Sequence, residues 1–224
     1  MQTPNHKNIN KIMHLLEKHF HYTKRTTLNR MRKSKKSDEK AFKILISCLL
    51  SLRAKDETTN RVSKQLFSVA DNPQSIVNMP LKKLERLIYS SGHYHKKAQT
   101  LKHVSKELIK RFNSKVPNNK EQLLSIKGIG PKTANIVLCF AFNQQFIPVD
   151  VHVHIIANRL GWVNTKTAEK TEPALEKILP KKYWMEINGL FVLLGREICQ
   201  TFSPRCSICP IRKYCPKINV KRSR

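Results

Sequence analysis

Acidic residues are scarce in this sequence: Asp and Glu number 15 against 43 Lys and Arg, for a formal net charge of +28 over 224 residues. That imbalance excludes an ordinary soluble enzyme of neutral metabolites. It favours a polyanionic partner, because each phosphate neutralised by a cation releases a condensed counterion. A merely basic, ribosome-like surface is the alternative that charge alone leaves open. Long apolar runs are missing too. None approaches the ~20 residues of a membrane-spanning helix. The opening stretch, MQTPNHKNINKIMHLLEKHF, has neither the uninterrupted apolar region nor the small-residue cleavage site of a signal peptide. These absences point to an intracellular protein without a membrane partner, in the cytoplasm or nucleoid if the source is prokaryotic. Thiols stay reduced there, so the six cysteines suggest ligands or packing instead of a disulfide framework.

Sustained β alternation is the third absence, and what replaces it is helical periodicity. Hydrophobic content of 40% is too high for a disordered chain, and the length suffices for one sizeable core or two modest ones. Ile9, Ile12, Met13, Leu16 and Phe20 predict a helix over 8–20. A basic connector follows from Tyr22 to Lys40, read as a solvated linker or as an ordered DNA arm. Residues 41–52, AFKILISCLLSL, are apolar nearly all round, which fits a helix buried in a helical domain, with Cys48 a small core residue. Asp56 is a candidate N-cap for a helix reaching Val69. Asn72-Pro73 and Met79-Pro80 mark the starts of short helices, and the second breaks at Gly92. A long basic helix spans about 94–112, a short one 119–126, and an apolar one 131–142. Three more patterns cover 151–160, 167–178 and, after Pro180, 182–198. Trp162, Trp184 and Phe191 are assigned to core. The fold class is all-α.

Two motifs carry chemistry. Cys199, Cys206, Cys209 and Cys215 are spaced C-x6-C-x2-C-x5-C, framed by Pro204, Pro210 and Pro216. Four thiolates so close together describe a loop wound around one metal centre. Spacing of this kind suits zinc or an iron–sulfur cluster, and its unequal intervals lean toward the cluster. Such a site contributes folding energy to the last segment of the chain. The second motif is Gly128-Ile129-Gly130 between two short helices, where glycine lets the backbone approach a ligand and the next helix's N-terminal amides favour a phosphate. Lys132 sits in that helix's first turn, the end where a cation is unfavourable. This position lowers the lysine's pKa and raises the fraction of free amine that a nucleophile needs, whereas a nearby Asp150 carboxylate acts the other way. A phosphate-contacting surface lysine is the competing reading.

Together, LLSIKGIGPKTANIVL, VDVHVHIIANRL and the four-cysteine spacing, in this order, resemble the endonuclease III family of helix-hairpin-helix DNA glycosylases. Weaker similarity runs back through YHKKAQ and LISCLLSLRAKD. The resemblance implies two all-α domains flanking a DNA cleft: a six-helix barrel with the hairpin over 34–144, and the N-terminal helix, 1–33, joined to 145–224 around a 4Fe-4S cluster on the four cysteines. It implies a monomer that binds double-stranded DNA containing damaged bases or abasic sites and flips the lesion out of the stack. Lys132 matches the family's nucleophile, which attacks C1′, expels the base and forms a Schiff base that leads to β-elimination. Asp150 matches the essential carboxylate, which helps to activate the amine and stabilises the cationic sugar; it is also a candidate N-cap for 151–160. Gly128 and Gly130 offer amides to a phosphate.

The departures from the family fall at the duplex-reading positions. Many members carry glutamine where Arg53 stands, in a loop that fills the gap left by the flipped base, and a bulky apolar wedge where His93 stands. Arg53 suits a bidentate pair with guanine or a plain phosphate contact; His93 suits a wedge or a solvent-facing turn. Ile155 replaces a frequent arginine. His152 and His154 either line the cleft or pack their helix. The function this implies is a bifunctional glycosylase with lyase activity in base excision repair, acting on oxidised pyrimidines. The alternatives are a uracil or thymine mismatch glycosylase on the same fold and a non-catalytic, cluster-bearing DNA-binding module.

Overall fold

The computed structural model describes residues 8–21, 38–52, 54 and 56–224. The greater part of the basic connector, Arg53 and the capping side chain expected at Asp56 lie outside the described residues. Among the described residues all regular structure is helical. The chain groups into two compact units, one formed by Arg30–Gln144 and the other by Met1–Asn29 with Gln145–Arg224.

In the Arg30–Gln144 unit the helices are α2 (Asp38–Ser51), α3 (Asp56–Phe67), α4 (Pro73–Asn78), α5 (Leu81–Ile88), α6 (Tyr94–Phe112), α7 (Lys120–Leu124) and α8 (Pro131–Phe142). Helix α2 starts three residues earlier than the apolar run, with Asp38 and Glu39 in its first turn, where carboxylates suit the helix's positive end. Its residues from Lys40 to Leu50 are buried on almost every side, Cys48 among them. Helix α8 is buried in the same way from Thr133 to Ala141. Two helices without a polar face have to cover one another, and α2 and α8 pack side by side. The shorter helices close around them: α3 and α6 pack on α2, α7 on α8, and α4 and α5 on α6. Helix α4 opens on a reciprocal cap, the Asn72 side chain accepting from Ser75 N while the Ser75 hydroxyl oxygen accepts from Asn72 N, with Pro73 placed where no amide partner is needed. Helix α3 ends at Phe67, and Val69 is half exposed beyond it.

The other unit holds α1 (Ile9–Phe20), α9 (Val151–Arg159), α10 (Ala168–Glu176) and α11 (Glu186–Glu197). Ile9, Ile12, Met13, Leu16 and Phe20 form one buried stripe of α1, which packs on α11. Trp162 is 2% exposed and lies against Phe191, with ring centroids 5.6 Å apart. The expected continuous helix after Pro180 is in fact broken. A 3-10 turn, Lys181–Tyr183, precedes α11, and Trp184 holds it through an Nε1 that donates to Leu179 O at 2.8 Å. Trp184 is therefore only partly buried against the core, not a full member of it, because its indole N–H reaches back to a carbonyl. No helix among the described residues is long and apolar enough to cross a membrane.

Trp162 fills the centre of this unit, so Trp162→Ala should lower stability by about 3–5 kcal/mol, read as a lower urea midpoint in far-ultraviolet circular dichroism.

Candidate active site and cysteine centre

The hairpin before α8 is built on two buried isoleucines. The Asn119 side chain accepts from Gln122 N at 3.0 Å and starts α7. Ile126 and Ile129 then turn inward, and Ile129 N donates to Ile126 O at 3.0 Å. Between them Gly128 takes φ +102, and a Cβ there would stand 2.8 Å from Thr100 Cγ2 on α6. This glycine is required twice over, by its backbone angle and by the helix beneath it. Gly130 differs: it is the extended N-cap of α8, and a Cβ built on it would meet nothing within 4 Å. Protein packing does not demand its missing side chain, and both glycines face solvent.

Pro131 occupies the first position of α8 and Lys132 the second, so the half-buried lysine stands at the positive end of the helix, as the spacing predicts. Cys48 of α2 lies in its electrostatic reach. Burial pushes that thiol up to about 12, with the Lys132 charge drawing it down only slightly. Cys48 is thus an inert thiol.

Asp150 belongs to the other unit and caps α9. Its Oδ1 accepts from His152 N at 2.9 Å and from Val153 N at 3.0 Å, which bears out the capping role read from its place before the helix. The loop that brings the chain to this aspartate is tied by Asn188 of α11, whose Nδ2 donates to Pro148 O at 2.8 Å in a buried bond. Sequence reasoning missed Asn188; the available signal was a lone amide inside an apolar helical pattern.

The remaining candidates separate. His93 is the exposed N-cap residue of α6, held at φ +49 directly after Gly92 at φ +68. Arg53 lies outside the described residues. The His152 ring rests on the backbone of α11 at Gly195, where any added Cβ would run into its Nδ1; helix packing accounts for this histidine. His154 Nδ1 sits 2.7 Å from Thr171 Oγ1, in a polar cluster with Asn158 and Thr165.

The four C-terminal cysteines line one cavity together with Ile156, Leu160 and Leu194. Cys199 follows α11, Cys206 opens one 3-10 turn and Cys215 closes another. Sequence reasoning also missed the residue that organises this loop, Arg159 of α9. Its guanidinium Nη1 donates to Cys199 O at 3.1 Å, Cys199 Sγ at 3.2 Å and Gln200 O at 2.9 Å, and Nη2 donates to Thr201 O at 2.6 Å. Burial raises the Cys199 and Cys215 thiols and takes Cys209 to about 11, and the neighbouring sulfurs push in the same direction. Such a donor set carries four negative charges only when a metal compensates them. Among the described residues no group of three or more His, Cys, Asp or Glu is set to hold a single metal ion.

Residues 46–181 match the HhH-GPD superfamily of base excision DNA repair proteins. The chain is 44% identical to endonuclease III of Thermotoga maritima over 174 residues, 78% of this chain and 82% of that protein. It is 35% identical to the Haemophilus influenzae endonuclease III, again over 78% of this chain and 82% of the relative. The fold superposes on a trapped endonuclease III–DNA covalent intermediate with a TM-score of 0.82 at 30% identity, covering 97% of both chains. A thermostable thymine-DNA glycosylase shares the fold at 20% identity, with a TM-score of 0.79. The cysteine loop, the hairpin lysine and these identities agree: the chain belongs to the HhH-GPD superfamily and, within it, to the endonuclease III family of DNA glycosylases with lyase activity.

Proposed function

We propose that this glycosylase excises oxidised pyrimidines from duplex DNA and then nicks the strand, with Lys132 as nucleophile and Asp150 as the carboxylate that serves it. One observation carries the reading: Lys132 is the second residue of α8, immediately behind the Gly128–Gly130 turn, in a chain 44% identical to an endonuclease III. The amine nitrogen bonds to C1′ of the flipped nucleotide as the N-glycosidic bond breaks, and its electron pair leaves with the base. Loss of a proton from nitrogen and ring opening yield the Schiff base. Removal of a C2′ proton then expels the 3′ phosphate, which cuts the strand 3′ to the lesion. The Asp150 carboxylate offsets the positive charge that develops on the sugar, and its cap on α9 fixes where that charge is offered. Gly130 leaves room for a phosphate against the start of α8, which is the chemistry suited to that helix end. Arg53 and His93 are the candidate duplex-reading residues, and His152 is a further candidate DNA contact. Residues 34–144 serve as the six-helix barrel, and 1–33 with 145–224 as the cluster domain. The protein acts as a monomer inside the cell.

The spacing of Cys199, Cys206, Cys209 and Cys215 and their shared cavity support a 4Fe-4S cluster held by these four thiolates. When bound it supplies ligation that orders the last segment. Arg159 orients the Cys199 loop whatever fills the cavity. The uracil or thymine mismatch reading and the non-catalytic reading find no comparable support.

Borohydride added during reaction with a thymine glycol duplex should trap a covalent adduct of wild-type protein and none of Lys132→Ala; an adduct on the alanine variant would overturn Lys132 as the nucleophile. Asp150→Asn keeps an oxygen acceptor for the α9 cap but loses the charge. Its excision rate should fall on the order of 10²–10³-fold, while stability changes by less than the ~1 kcal/mol expected of the cap-deleting Asp150→Ala. Iron and sulfide should co-purify with the protein and give a broad absorbance in the visible blue, which Cys209→Ser should weaken; stoichiometric zinc without iron would exclude the cluster.

A further inference from the structure

Lys97 is the one cation of α6 that the sequence pattern does not explain. It lies in the first turn of that helix, the end at which a positive charge is disfavoured, and only 7% of it is exposed. Burial lowers its pKa from the ordinary lysine value. A buried ammonium in such a position persists only where fixed acceptors meet it. Two do. Nζ donates to Leu50 O at 2.7 Å and to Ser91 O at 2.6 Å.

Both acceptors are special. Leu50 is the penultimate residue of α2, and the Ala54 amide that would continue the helical ladder donates to Ser51 O instead. The Leu50 carbonyl therefore belongs to the helix's negative end, where a cation is favoured. Ser91 ends the 3-10 turn before Gly92 and His93, both at positive φ, and its own hydroxyl donates to Ile88 O at 2.7 Å. The backbone N–H of Lys97 closes the other side of this turn by donating to His93 O at 3.0 Å. The Lys97 side chain thus holds the His93 turn at Ser91 and ties it to the end of α2, three residues ahead of Arg53 in the sequence.

We infer that Lys97 is a positioning residue for lesion reading: its buried ammonium locks the His93 turn to the C-terminal end of α2, so that the two segments meet the duplex in one fixed register. Non-glycine residues at positive φ are strained, and His93 keeps that conformation because the surrounding bonds over-determine it. Without the clamp the turn relaxes, and an extrahelical base is no longer matched by a preset filler for the space it leaves. The inference rests on the proposed roles of His93 and the Arg53 segment in reading the duplex.

The test uses the full protein and a duplex with a stable tetrahydrofuran abasic analogue opposite 2-aminopurine, whose fluorescence rises when that base is unstacked. Wild-type protein should give the rise. Lys97→Met, of similar length without charge, should lose at least two thirds of it. Single-turnover excision of thymine glycol should fall at least tenfold, whereas cleavage at a preformed abasic site falls less than threefold. Lys97→Arg, which keeps charge and donors, should recover part of the signal. A Lys97→Met protein with wild-type fluorescence and excision overturns the inference alone; a wild-type protein that gives no fluorescence rise overturns the duplex-reading roles and the inference with them. Should Lys97→Met not fold, hydrogen exchange of the wild-type protein decides. Amides at 51–54 and 92–97 should gain protection together on binding the analogue duplex, and protection of one segment alone overturns the clamp.

Discussion

The contact between α2 and α8 is the constraint on which the Arg30–Gln144 unit depends. Each helix is apolar nearly all round, so neither can face water and each is the other's cover. Their pairing sets the first turn of α8, and with it Lys132, near the Cys48 thiol. It also brings the end of α2 to the start of α6, where Lys97 takes up the Leu50 carbonyl. A hydrophobic requirement thereby decides where two cations stand. Burial drives the pairing without direction, and the directional part comes from Gly128, whose turn seats only because no Cβ meets Thr100.

In the other unit the directional work falls to buried polar side chains. Asn188 holds Pro148 ahead of Asp150, and Arg159 gathers the carbonyls of Cys199, Gln200 and Thr201. Both are donors that reach irregular backbone some 40 residues away in sequence. Loops cannot satisfy such carbonyls within themselves, and an unpaired buried one costs about 1–3 kcal/mol. The structure meets that demand with single long side chains from regular helices, so rigid elements dictate the shape of flexible ones. Asp150 does the reverse service and caps a helix from a loop. The bonds that stabilise α9 are also the ones that fix where the Asp150 side chain stands.

Helix type and site candidates were legible because their signals are local. Periodicity marked α6 and α8 to the residue, a proline and a glycine pair framed Lys132, and the cysteine spacing marked a candidate metal centre. The break before α11 was not legible: a Pro180 start followed by helix formers reads as one helix, and only the Trp184 bond to Leu179 O shows why it divides. Lys97 and Arg159 were passed over for a related reason. In a chain with 43 basic residues each looks like another surface charge, and nothing nearby in sequence distinguishes a cation that goes inside.

By itself the sequence determined the all-helical class, the hairpin with its lysine, the capping acid and the four thiols, since each is written in residues close together along the chain, and its overall charge pointed to a polyanionic partner. Only the tertiary structure decided that Arg159 organises the cysteine loop, that Asn188 steadies the approach to Asp150, that the His152 ring packs on Gly195, and that Lys97 joins two turns. These depend on acceptors and surfaces contributed from about 40 residues away. A charge declares its role only when the carbonyls that receive it are in place.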